Sequence, residues 1–190
     1  MRHWFLAVAM VSATAANAKD IDLRVRTDAQ GEYDVAFCAR PSPAGGGLPG
    51  HMFVAFSKMT ADGKRTFVAV GHTVGAGTGA VSAAWSYFGA PVNGLLKEEM
   101  YTSVRQQCLN TRVNKEVFDK AFQRTVSPLA ALGITSSQDV VLQQYKLGEQ
   151  DCMAYASSVA DDLKPVGLKV PSRGAAELPM AYIKRLIETN

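Results

Sequence analysis

The chain predicts an α+β domain in which an antiparallel sheet fills the first two-thirds and packs against helices. Three observations carry that expectation. Apolar and polar residues alternate with period two in "IDLRVRT" (21–27) and "YDVAFCAR" (33–40). "HMFVAFSKM" (51–59) and "KRTFVAVGHTV" (64–74) are rich in aromatic and β-branched residues and flank "TADG", whose Asp62-Gly63 pair is a hairpin signal. From Asn114 onward, helical spacing of apolar residues takes over in three segments.

The elements follow in order. "MRHWFLAVAMVSATAANAKD" opens with Arg2, continues with an apolar run from Trp4 to Val11, and reaches a small-residue "ANA" site at Ala18. That is the three-part layout of a secretory signal peptide, and its apolar run is too short to span a bilayer. Residues 1–18 are therefore read as a removable leader, and residues 19–190 as one domain of 190 − 18 = 172 residues, enough for a substantial core. The product is expected to be exported, either periplasmic or secreted. Without Arg2 the chain holds 19 basic against 17 acidic residues. That near balance argues against a nucleic-acid partner, which would call for a clustered basic surface.

Segments 21–27 and 33–40 read as two strands around a Gly31 turn, and "PSPAGGGLPG" (41–50) as a loop. The hairpin of 51–74 comes next. "GAGTGA" (75–80) matches a dinucleotide fingerprint in form, but it follows the return arm of a hairpin and not a strand feeding a parallel βαβ unit. It reads as a glycine turn, and no cofactor is implied. A small apolar segment with Trp85, Tyr87 and Phe88 leads to a turn at "APVNG", and "QQCLNTRV" (106–113) returns to strand character. Asn114 caps a helix over "KEVFDKAFQRTV". Asp151 caps a second, which ends at Lys164-Pro165, and Pro179 sits in the first turn of a third, "ELPMAYIKRLIE".

The chemistry centres on "GEQDCMAYASSVADDL" (148–163). Of the three cysteines, Cys38, Cys108 and Cys152, at least one cannot pair within the chain, and in an oxidising compartment a free thiol is exceptional. Cys152 falls in the first turn of its helix, where unsatisfied N–H groups and partial positive charge favour a thiolate. It also heads an apolar stripe with Ala156, Val159, Ala160 and Leu163, so a plain core cysteine fits the same pattern. Two histidines remain beyond the leader, His51 and His72, and the hairpin relates them. If position i pairs with 123 − i, they lie opposite each other; if with 125 − i, they are diagonal neighbours. Either register puts both on one face. Together with Cys152 they suit a nucleophile with its base and an orienting partner, or a zinc site, or two polar residues satisfied locally.

The order "GHMFVAF … YKLGEQDCMAYASSVADDLKPVGLKVPS … LPMAYIKRL" resembles the circularly permuted papain-like proteins. These are the branch related to NlpC-type cell-wall peptidases and lecithin:retinol acyltransferase-like enzymes. In that branch a histidine on a strand precedes a cysteine at a helix N-terminus, typically within Asn-Cys-x-x-aromatic; here Gly50-His51 and Cys152 with Tyr155 match. The resemblance covers roughly residues 50–75 and 140–188, and Asp151 departs from it by standing where asparagine is usual. It implies Cys152 as nucleophile, His51 as general base and His72 as the residue that orients the imidazole. The implied function is a thiol hydrolase cleaving peptide or amide bonds, with peptidoglycan or a peptide as partner. A lipid-directed acyltransferase or thioesterase of the same fold is the alternative, and a non-catalytic binding module the third reading. In this scheme Cys38 and Cys108 pair and leave Cys152 free, a bridge worth roughly 4–5 kcal/mol in the chain-entropy model.

Overall fold

The structure, a computed structural model, describes residues 18–29, 31–41, 50–75, 77–99, 106–125 and 143–190. The leader lies outside the described residues except for Ala18, as does nearly all of the 41–50 loop. A mixed seven-stranded sheet is built from β1 (Ala18–Asp22), β2 (Gly31–Arg40), β3 (His51–Thr60), β4 (Arg65–Val74), β5 (Val92–Glu98), β6 (Gln107–Val113) and β7 (Gln143–Tyr145). Its spatial order is β1-β6-β2-β3-β4-β5-β7. Four helices lie among the described residues: α1 (Ala80–Trp85), α2 (Lys115–Gln123), α3 (Cys152–Leu163) and α4 (Pro179–Thr189). The α+β class is as expected. Two details differ. The first strand starts earlier and does not form a hairpin with β2; it pairs in parallel with β6, Ala18 opposite Cys108 through Asp22 opposite Arg112. And "VNGLLKE", which begins inside the expected turn, is strand β5, held against β4 from Val70–Glu98 to Val74–Gly94.

The alternation of apolar residues on β2 and β3 sorts the core into two faces. Tyr33, Val35 and Phe37 of β2 and Met52, Val54 and Phe56 of β3 are buried on the helical side. There they meet Phe118 and Ala121 of α2, Ala156, Val159 and Leu163 of α3, and Tyr182, Ile183 and Leu186 of α4. The other face buries Cys38, Phe53, Ala55, Ala69 and Cys108. Cys38 stands directly opposite Cys108 in the β2–β6 register, and the two form a disulfide. That bond belongs to an oxidising environment of the kind exported proteins meet. No helix among the described residues is long and apolar enough to cross a membrane.

Register decides what the hairpin can present. β3 and β4 pair from Val54–Val70 to Met59–Arg65, so partner numbers sum to 124. Thr60 and Lys64 close the loop through a backbone bond of 3.0 Å. An even sum matches residues of equal parity, and parity alternates between faces. His51 therefore shares the face of Phe53, Ala55 and Ala69, while His72 shares the helical face with Val70. The expected common face is replaced by opposite faces, because the loop is one residue out of step with both registers considered.

Candidate active site

Cys152 is the one free cysteine and is buried, 4 % exposed. It begins α3 because Asp151 stops the extended backbone and caps the helix: Oδ1 accepts from the Met153 and Ala154 N–H groups, each at 3.0 Å. Oδ2 accepts from Gly148 N–H at 2.8 Å, and Gly148 sits at φ +94°, a conformation glycine adopts without strain. The Arg173 guanidinium grips both carboxylate oxygens, each at 2.8 Å. The Asp151 anion beside the cysteine is thus 1 % exposed and paired with a cation through two bonds. Met153 and Ala154 N–H are spent on this cap. That leaves the Cys152 N–H as the first-turn amide without a partner among the described residues.

His51 stands at the start of β3, opposite Arg40 of β2. Its Nε2 lies 3.0 Å from Glu99 Oε1, and the other Glu99 oxygen accepts from Arg40 Nη2 at 2.7 Å. An ionised carboxylate only accepts, so Nε2 donates to Glu99, and Cys152 is the other polar neighbour of the ring. Burial alone lowers the His51 pKa; the hydrogen bonds and charges of Cys152 and Glu99 outweigh it and raise the pKa to about 9. Glu99 shows the complementary balance. Burial raises its pKa, but His51 and Arg40 hold the carboxyl below the ordinary range. The ring of His51 also stacks on Phe53, centroids 6.4 Å apart.

Space for this pair comes from Gly71. A methyl group there would stand 2.5 Å from His51 Nε2 and 3.0 Å from Glu99 Oε1. β5 brings Glu99 alongside by continuing its ladder one residue beyond the strand, with Glu99 N–H donating to Ala69 C=O at 2.8 Å. The third polar member beside the imidazole is therefore Glu99 and not His72. Sequence reasoning sought that member among the histidines. The available signal was the "GLLKEE" strand end, a carboxylate following an apolar pair.

His72 occupies a different place. It is buried on the helical side, its ring edge-on to Tyr145 at 5.4 Å, in contact with the Asp151 backbone at the start of α3, and its Nε2 has no partner. Burial lowers its pKa; Asp151 opposes that, and the charge of His51 adds to it. His51 and His72 on opposite faces do not form the zinc set with Cys152. No group of three or more His, Cys, Asp or Glu among the described residues is arranged to hold a metal ion.

Past the Val54–Val70 pair β3 and β4 are no longer partnered, and a cavity of about 870 Å³ lies at this end of the sheet. Cys152, His51 and Glu99 line it together with His72 and Arg173, and Val74, Leu95, Leu147, Met153 and Leu178 give it apolar walls. Of the aromatic trio Trp85, Tyr87 and Phe88, only Tyr87 lines the cavity. A thiol, an imidazole and a carboxylate bonded to that imidazole thus line one cavity. That combination is suited to acyl transfer. No protein-family model, curated protein or solved structure matches the chain.

Proposed function

We propose that the protein is an exported thiol hydrolase in which Cys152, His51 and Glu99 act as nucleophile, base and orienting acid. Its fold would be a permuted papain-like one, with the histidine strand ahead of the cysteine helix. The observation that carries the reading is the hydrogen-bonded chain from Arg40 through Glu99 to His51, with the one free thiol, Cys152, as the other polar neighbour of the imidazole.

In the reaction, the Cys152 thiolate forms an ion pair with the His51 imidazolium, which its raised pKa keeps protonated near neutral pH, and attacks an amide carbonyl carbon, forming the C–S bond. The carbonyl electron pair moves onto oxygen, where the Cys152 N–H donates to it. Collapse breaks the C–N bond, and the imidazolium returns its proton to the leaving amine. His51 then deprotonates a water that attacks the thioester, and the C–S electron pair leaves with Cys152. Glu99 stays ionised throughout and holds the imidazole beside Cys152. The substrate class proposed is the peptide and amide bonds of peptidoglycan. A lipid ester or thioester is the second reading, favoured by the apolar cavity walls.

The test is the rate at which iodoacetamide labels Cys152, the other two cysteines being bridged. Wild type should react readily near neutral pH, and His51→Ala should be slower by about tenfold or more. Equal rates at all pH values would refute the dyad.

A further inference from the structure

The stretch from Gly75 to Leu96 contains no Asp, Glu, Lys, Arg or His, in a chain that is 19 % charged. It forms α1, the turns around it and the start of β5, and its helical part has two sides. Ala83, Ala84 and Tyr87 line the cavity that holds Cys152. Val81, Trp85 and Phe88, spaced i, i+4 and i+7, are turned outward, with Trp85 66 % and Phe88 81 % exposed. The rings form one cluster: Trp85 meets Phe88 edge-on at 6.4 Å, and Phe88 meets Tyr87 edge-on at 4.9 Å.

Single exposed apolar residues are ordinary, but a contiguous aromatic patch beside a cavity marks a surface that something covers. The charge pattern selects the occupant. A protein interface surrounds its apolar centre with a polar rim of paired groups, whereas a lipid interface penalises every charge carried into it. This segment offers no charge to desolvate, and Trp and Phe are the side chains that settle at the boundary between headgroups and acyl chains. We infer that Val81, Trp85 and Phe88 dock the protein on the surface of a lipid bilayer. Docking requires no chemistry at Cys152, so it stands apart from the proposed hydrolase.

The chain supplies its own reporter, since its two tryptophans are Trp4 and Trp85. In the chain of residues 19–190, without the leader that holds Trp4, Trp85 emission is titrated with neutral phosphatidylcholine vesicles, and co-sedimentation is measured in parallel. The expected result is a blue shift with saturable binding. Phe88→Ser and Val81→Ser should each weaken it by about tenfold or more. Val25→Ser, which removes an equally exposed apolar residue elsewhere, and Cys152→Ala should leave it unchanged. The inference is overturned if emission does not respond to vesicles. It is overturned equally by binding confined to anionic vesicles that salt abolishes and Phe88→Ser leaves intact. A response to peptidoglycan fragments and not to vesicles would assign the patch to sugar stacking instead.

Discussion

Replacing Gly71 by alanine adds one methyl group where the structure leaves room for none. The new Cβ would stand 2.5 Å from His51 Nε2, and ordinary contact begins near 3.4 Å, so the imidazole must retreat by about 0.9 Å. The Glu99 carboxylate, at 3.0 Å from the same point, must give way too. Nothing in the backbone resists the change, since Gly71 is not among the residues at positive φ, and alanine is by itself slightly better than glycine inside a strand. The atom displaced is the far end of a side chain, so the fold absorbs the substitution within about 1 kcal/mol. Catalysis by the proposed mechanism would not, because a displacement of about 1 Å in a positioned group costs on the order of a hundredfold. Gly71→Ala should therefore lower turnover, once a substrate is found, by about a hundredfold, and slow Cys152 labelling by no more than His51→Ala does, with a loss in urea unfolding of no more than about 1 kcal/mol. Wild-type reactivity at wild-type stability would refute the placement of His51 between Glu99 and Cys152.

Other consequences follow from the same contacts. Glu99→Gln removes a charge-assisted hydrogen bond worth about 1.5–3 kcal/mol and should slow Cys152 labelling by about ten- to a hundredfold, whereas His72→Gln should slow it far less. The His51 pKa of about 9 lies above the unfolded value of 6.5, so its stabilisation is complete below about pH 6.5 and is lost as pH rises through about 9. Urea midpoints should fall across that window, and His51→Gln should flatten the decline. Arg173→Ala leaves the buried Asp151 carboxylate without its cation and should cost about 3 kcal/mol in urea unfolding. Adding Asp151→Asn to that variant should recover part of the loss.

Much of this fold could be read in the sequence because local signals and tertiary structure agreed. The alternation in "YDVAFCAR" became β2, the Asp151 cap began α3, and Pro179 opened α4. What could not be read depended on register or on distant partners. The hairpin loop of Thr60–Lys64 differs from a two- or four-residue turn by a single residue, and that residue decides whether the two histidines share a face. β5 stayed hidden because "PVNG" suggests a turn, and its pairing with β4 is decided by a neighbour some twenty positions earlier. Glu99 was hidden with it. The parallel pairing of β1 with β6 joins segments 90 positions apart, Ala18 opposite Cys108, and leaves no local trace. The Cys38–Cys108 bridge was expected because both cysteines fall in strands, and the register sets them face to face.

Asp151 shows how stability and chemistry share one helix end. A side chain that caps a helix consumes amides, and here it takes those of Met153 and Ala154. A negative charge next to a nucleophilic sulfur also opposes the thiolate. Arg173 answers the second problem by pairing with the carboxylate through two bonds, so that the charge presented to Cys152 is that of a closed ion pair. The first problem is answered by position, because the amide of Cys152 itself lies outside the cap's reach. The helix is thus fixed without using the one donor that an oxyanion on the Cys152 adduct would need. An asparagine at 151 would keep the cap and leave the Arg173 cation without its anion beside the sulfur. Aspartate at this position is therefore coupled to arginine at 173, and the pair belongs to the site as much as to the fold.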